Sequence, residues 1–474
     1  MDKSRRRAAS NRAMEENTLA ILDSFCTHNS SHVHDDRLAF LEAVRSASIV
    51  PENGNPPTEK MMEAVFEILR EAKSLELIIA SYKLLTDLEE HFPRVYLSDG
   101  DVKSSLEKPT SLVVIEEAWS PFSVVSDVTA NNKHAANKRS KEPIDSAGFH
   151  LLLEGLTEVT SAPESSEIML DILANMLLFQ YLVNVLKGDF LARNQTFLRS
   201  SDWISLRECL LNKLLGSRRI NYKGFVKDCL FTMCKRFSSY SPLNHCSGPA
   251  ETSLPQLYND SDAAIALALP EIAKSTHEAV QNLLVMMTNL DSSRKKADIE
   301  GLTTRTDGIR TPVMELILDT LSYDKDMISP FLQVFDEPKL KLEIVSQYFH
   351  KYTAKPPTRN QRSSVPQDDP TVTGFFKCFL NSASTKGIVK KIGAKAVQVL
   401  LAHALQACML LPPEQLVEGI SELNAATKSN PLDTICKNVI SAFTRLKETD
   451  KNMEILPIGK EAVFTAATIL SARK

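Results

Sequence analysis

The sequence predicts an all-α protein in which helix pairs stack into an irregular solenoid. Three observations carry this. Apolar residues recur at helical spacing through most of the 474 residues. Glycine occurs 15 times in 474 residues, about 3%, against a usual ~7%, too few for the tight turns of a sheet-rich fold. Period-two alternation is scarce, and alternating strand–helix units are absent. Hydrophobic residues make up 43% of the chain and charged residues 24%, which suits a folded soluble protein and excludes a wholly disordered one. At ~150 residues per domain the length allows about three domain-equivalents or one elongated array.

The elements follow in order. The opening MDKSRRRAASNRAM carries Lys3, Arg5, Arg6, Arg7 and Arg12 with Asp2 as its only acid. A solvated tail, a nuclear import signal and an organelle transit peptide all remain open for it. After Pro56-Pro57, Thr58 is placed to cap a helix whose face is Met61, Val65, Ile68, Leu69 and Ala72. Leu75, Ile78, Ile79, Tyr82 and Leu85 repeat that pattern up to Pro93, so the two form a helical hairpin. Ser111–Ile115 is the best strand candidate. Ile168–Leu186 is the longest apolar stretch, and Asp171, Asn175, Gln180 and Asn184 within it predict a buried core helix and not a membrane span. Ser275-Thr-His-Glu278 reads as a capping box opening a helix through Val280, Leu283, Leu284, Met287 and Leu290. Thr311-Pro312, Glu337-Pro338 and Asn430-Pro431 each open another, and Ala396–Leu411 is apolar nearly all round and expected to be buried.

Polar, proline-bearing breaks divide the chain. The division expected is a basic tail over 1–16, a helical region over 17–127, a linker over 128–148 and a central helical region over 149–240. A linker over 241–262, repeats over 263–352, a linker over 353–372 and C-terminal repeats over 373–474 complete it. Helix pairs recurring every ~35–50 residues match armadillo- or HEAT-like stacking, in which each pair buries its apolar face only against its neighbours.

Chemical equipment is hard to find. There is no phosphate-binding GxxxxGK[ST], no GxGxxG after a strand, no GxSxG elbow and no HExxH pair. The chain is therefore read as a non-enzyme with no cofactor, no metal and no small-molecule substrate. Cys229 and Cys234, with His245-Cys246 downstream, have metal-ligand chemistry, but DCLFTMC reads as a buried helix end. His28, His32 and His34 beside Asp35 and Asp36 read as a solvated loop before a helix. The eight cysteines are sparse, which favours a reducing compartment. Glu76, Asp87, Glu89 and Glu90 are read on exposed helix faces.

The net charge of −4 makes any nucleic-acid footprint local. The candidate contact for nucleic acid or an acidic partner is Arg294, Lys295, Lys296, Arg305 and Arg310, read as a loop between two capped helices and diluted by Asp298, Glu300 and Asp307. Lys138, Arg139 and Lys141, with Lys133, form a second basic patch; together with Lys3, Arg5, Arg6 and Arg7 they are the candidate import residues. Lys386, Lys390, Lys391 and Lys395 are a further basic set.

Five stretches carry a resemblance: Leu41–Met61 (LEAVRSASIVPENGNPPTEKM), Glu116–Phe122 (EEAWSPF), Ser292–Asp319 (SSRKKADIEGLTTRTDGIRTPVMELILD), Phe331–Tyr348 (FLQVFDEPKLKLEIVSQY) and Glu454–Ala467 (EILPIGKEAVFTAA). In them the chain resembles the plant negative regulators of systemic acquired resistance, the inducible suppressor family of the salicylate-defence pathway. The resemblance implies a nuclear, non-enzymatic protein of armadillo-like fold that represses defence-gene expression and homologous recombination. It also implies a subunit of the structural-maintenance-of-chromosomes five/six complex, paired with a helical non-SMC partner and reaching SMC heads and chromatin through it. No catalytic or cofactor residue carries over. The alternative reading of the residues is a direct DNA-binding repressor using the local basic segment.

Overall fold

The computed structural model describes residues 15–22, 30–50, 54–98, 111–123, 143–158, 166–234, 260–308, 310–335, 337–353, 374–379, 381–412, 416, 430–450 and 452–472. It divides into two units, Met1–Val313 and Met314–Lys474. Among the described residues the fold is all-α in character, consistent with helical repeats, with a single two-stranded ribbon.

The first unit opens with α1 (15–22), α2 (Ser30–Ser48), α3 (Glu59–Glu71) and α4 (Leu75–His91). Thr58 caps α3, its hydroxyl accepting the Met61 N–H at 3.5 Å, and Ser74 caps α4 by accepting the Leu77 N–H at 3.3 Å. The predicted face of α3 is buried, and α3 packs on α4 as the expected hairpin. Next come β1 (Val95–Ser98) and β2 (Ser111–Val114), antiparallel with Val95 opposite Val114. β2 is the expected strand. Its partner VYLS, four residues directly behind a helix, is too short to carry a period.

Then follow α5 (Ser146–Glu158), α6 (Ser166–Ser200), α7 (Trp203–Arg207), α8 (Leu210–Gly216), α9 (Tyr222–Cys234) and α10 (Asp260–Ile299). The centre of the unit is α6, against which α3, α4, β1, β2, α5, α7, α8 and α10 pack. It is long and apolar enough to cross a membrane. Yet Phe179, Leu182, Leu186, Phe190 and Phe197 are all fully buried against protein. Its polar residues act inside the core. Asp189 and Arg193, both buried, pair at 3.0 Å; Asp189 also accepts the Leu210 N–H at 2.6 Å, and Arg193 donates to the Ser205 carbonyl at 2.9 Å. One ion pair thus ties α6 to the middle of α7 and to the start of α8. Gln180 ties three helices together: its Oε1 accepts from Tyr82 of α4 at 3.2 Å, and its Nε2 donates to Ile272 O and Thr276 Oγ1 of α10 at 3.0 and 2.9 Å.

The capping box expected at Ser275–Glu278 is corrected. These residues lie in the middle of the 40-residue α10, where the Ser275 and Thr276 hydroxyls bond back to the carbonyls of Glu271 and Ile272. A cap requires non-helical backbone at its serine. Here the helix continues upstream because Ile265, Leu269 and Ala273 extend the buried stripe, and that burial outweighs the backbone bond lost at Pro270.

The second unit contains α11 (Val313–Tyr323) from its second residue onward, α12 (Ile328–Val334), α13 (Pro338–Thr353), a 3₁₀ segment Gly374–Phe379, α14 (Ser382–Ile392), α15 (Ala394–Leu410), α16 (Pro431–Thr449) and α17 (Pro457–Ala472). As expected, α15 is buried almost throughout, and α12, α13, α14, α16 and α17 pack on it. Gly393, at φ +94°, turns the chain by 106° between α14 and α15, a backbone conformation that excludes most side chains. Fully buried Gln398 accepts the Leu456 N–H at 2.8 Å and donates to Glu454 O at 3.1 Å, docking the start of α17. Phe349 stacks on Phe375 at 5.4 Å and meets Phe379 edge-on at 5.5 Å, which joins α13 to the 3₁₀ segment. Asn430 caps α16 as predicted, accepting the Leu432 N–H at 3.1 Å.

Candidate interaction interface at the end of helix α10

The basic segment is not the loop the sequence suggested. Arg294, Lys295 and Lys296 ride on the last turns of α10, which continues to Ile299. Behind them the chain turns at Gly301 (φ +71°), forms a 3₁₀ turn over Arg305–Asp307 and turns again at Gly308 (φ +66°). Arg294 donates to the carbonyl of Asp307 at 2.9 Å and to that of Gly308. Lys296 lies over the Phe197 ring at 5.5 Å and within 3.9 Å of Glu300.

Arg310 is the most deeply engaged. It pairs with Asp291 at 3.0 Å, with both side chains nearly buried, and its guanidinium sits over the Tyr222 ring at 5.2 Å. Asp291 uses its other oxygen to accept the Val313 N–H at 2.7 Å, capping α11. The cap expected from Thr311 therefore comes from α10, and Thr311 itself is exposed.

Asp307 completes the cluster. Its carboxylate accepts the Thr304 N–H at 2.6 Å and lies 3.6 Å from Arg207. Burial opposes its charge, but the Thr304 backbone and hydroxyl bonds and Arg207 together hold the carboxyl below its usual range.

Of the five predicted contact residues, Lys295 and Arg305 point to solvent, while Arg294, Lys296 and Arg310 have partners in their own chain. Five cations here stand against Asp291, Asp298, Glu300 and Asp307. The local field is therefore weak for a phosphate backbone, and the buried cations serve the fold.

Lys386, Lys390, Lys391 and Lys395 are exposed, and Lys391 donates to Tyr352 O at 2.6 Å. The candidate import residues Lys3, Arg5, Arg6, Arg7, Lys138, Arg139 and Lys141 lie outside the described residues. So do His28, His245 and Cys246, as does the side chain of His32. His34 Nε2 lies 3.0 Å from Ser74 Oγ, the cap of α4. Cys229 is buried in α9, and burial pushes its thiol pKa up, opposite to what a metal-binding thiolate needs. Among the described residues no three metal-ligating side chains converge.

Glu89 is a correction. It is half-buried, its carboxylate lies against Gly188 of α6, and burial pushes its pKa up to about 7 despite the attraction of Arg94. Its sequence neighbourhood carries no sign of this, because the covering helix is a hundred residues away. Asp291 was likewise invisible as a hub: Arg310 lies 19 residues downstream, beyond any helical period.

The family model described as the SNI1 middle domain matches residues 94–337, and that described as the SNI1 C-terminal domain matches residues 353–474. A protein of Arabidopsis thaliana, Negative regulator of systemic acquired resistance SNI1, is 43% identical over 463 residues, covering 97% of this chain and 95% of the relative. No solved structure matches.

Proposed function

The chain belongs to the SNI1 family, and from that premise we propose that it is a non-enzymatic nuclear scaffold that negatively regulates systemic acquired resistance. Its finer role in this reading is as a subunit of the plant structural-maintenance-of-chromosomes five/six complex. It pairs with a helical non-SMC subunit, reaches SMC heads and chromatin through the assembly, and restrains defence-gene transcription and homologous recombination. The relative's name supports the regulatory part; the complex rests on the family resemblance in the five stretches quoted above.

The observation that carries the scaffold over a DNA-binding repressor is the commitment of Arg294 and Arg310 to their own chain. A nucleic-acid reader keeps its arginines free for phosphate and base edges. Large apolar side chains are instead solvent-facing, Leu267 at 79% and Phe464 at 73% exposure among them, and a partner helix is what such residues recognise.

The test is affinity purification from plant nuclei with crosslink mapping, beside DNA binding by the purified chain. The scaffold reading expects a helical partner and SMC subunits in the purified assembly, and only weak DNA affinity for the chain alone. Strong, salt-dependent binding by the chain alone, lost in K295E/R305E, would establish the repressor reading instead.

A further inference from the structure

In the first unit, the start of α3, the end of α4, the turn into β1 and the chain after β2 enclose a cavity of about 630 Å³. Its walls are largely apolar, with Pro57, Met62, Leu88, Phe92, Ile115 and Trp119 among them. Carboxylates are set into that apolar surface. Glu59 and Glu117 are solvent-exposed and have no ion-pair partner among the described residues, and Glu89 is half-buried. The one arginine or lysine in the lining is Arg94, and two of its three guanidinium nitrogens are buried, so the accessible charge of the cavity is negative. His91 is exposed and turns its Nδ1 to the Asp87 carbonyl at 2.8 Å. Apolar and aromatic walls that carry free carboxylates suit an arginine side chain. Its stem packs on hydrocarbon, while its guanidinium stacks on a ring or pairs with a carboxylate.

The chain itself supplies such side chains beside the cavity. Residues 1–14 lie outside the described residues and carry Lys3, Arg5, Arg6, Arg7 and Arg12 against the single acid Asp2. The next residue, Glu15, is fixed to the fold: its carboxylate pairs with Lys60 at 2.8 Å. Lys60 follows Glu59 and precedes Met62 by two residues, and both of those line the cavity. The tail therefore joins the fold within one helical turn of the cavity wall. The three residues from Arg12 to Glu15 span up to about 10 Å and the whole tail up to about 50 Å, so its arginines reach the opening. The same pair neutralises Lys60, the cation next to Glu59 in the chain.

We propose that this cavity is the docking site of the chain's own N-terminal tail, with tail arginines packed on its apolar walls and paired with Glu59 and Glu117. The contact is intramolecular, so weak individual bonds suffice to keep it occupied. A docked tail is an autoinhibitory element, because its arginines are withheld from other anions until a stronger one competes for them.

The test times trypsin cleavage of the full chain after Arg5, Arg6 and Arg7 by intact mass, in the parent and in E59Q/E117Q. Both substitutions lie on exposed side chains and keep their shape, so the fold should persist. With two exposed ion pairs removed, the tail should be cut at least about fivefold faster in E59Q/E117Q than in the parent. In about 1 M salt, where charges are screened beyond ~3 Å, the two rates should converge. Protection in the parent should not change on dilution. Independently, benzoylphenylalanine installed in place of Ala9 should photo-crosslink within its own chain to cavity residues such as Met62, and should do so less in E59Q/E117Q. Equal cleavage rates at low salt overturn the proposal, as does a rate difference that persists at high salt. Crosslinks confined to other surfaces overturn the site. Protection lost on dilution, or crosslinks only between chains, overturns docking in the same chain in favour of a second copy.

Discussion

At Asp291 one carboxylate holds Arg310 and caps Val313. D291A strips both at once and leaves a nearly buried guanidinium unpaired, so it should cost about 3–5 kcal/mol in urea-unfolding free energy. Adding R310M should recover part of that loss; if D291A unfolds like the parent, the junction is not the hub assigned here. Glu89 gives a pH signature. Its native pKa is raised to about 7, chiefly by burial, with Asp189 adding to the effect. Between its ordinary value near 4.5 and about 7 the native state holds more proton than the unfolded chain, so this residue makes stability fall as pH rises through that window. E89Q should therefore gain melting temperature over the parent at pH 8 and little at pH 4.5. An equal gain at both pH values would refute the assignment. In the second unit, burial pushes His403 down to about 4, with Lys341 adding to the effect. Its contribution runs the other way: stability is undiminished above the ordinary histidine range and declines as pH falls from there toward about 4.

Helices in both units are set by what buries them. In α10, Leu283 is fully buried and Leu267 is 79% exposed. L283D should cost several kcal/mol because a charge enters the core, whereas L267D, on the same helix, should stay within about 0.5 kcal/mol. Similar melting curves for the two would mean the buried face of α10 is assigned wrongly. In the second unit, α17 crosses α16 and α15 at Gly459, where an added Cβ would fall 2.9 Å from a Phe443 ring carbon and 3.0 Å from Gln398 Oε1. G459A should cost about 1–3 kcal/mol by overpacking, and F443L should relieve part of it. The same logic explains why α10 runs unbroken through the capping pattern at Ser275–Glu278. A capping pattern is a local preference worth about 1 kcal/mol, and the stripe through Ile265, Leu269 and Ala273 buries more than that.

On the scale of the whole molecule, a net charge of −4 and the internal pairing of its most prominent basic cluster predict weak DNA affinity. Few free phosphate contacts remain there, so any dependence on salt should be shallow. A plot of log affinity against log salt for the isolated chain should have a slope no steeper than about −2, matching solvent-facing Lys295 and Arg305. A slope of −5 or beyond would require a basic surface outside this cluster.

The sequence by itself determined the helical class, the hairpin of α3 and α4, the strand at Ser111, the buried character of α6 and α15, and the family. Those features are written in local periodicity, in capping residues such as Thr58 and Asn430, and in motif stretches, all of which act over a few residues. Only the tertiary structure decided which charges face solvent. It sent Arg310 inward to Asp291 and Tyr222, and half-buried Glu89 against α6. A side chain's charge state and availability depend on neighbours brought from distant parts of the chain, and no spacing along one helix encodes them.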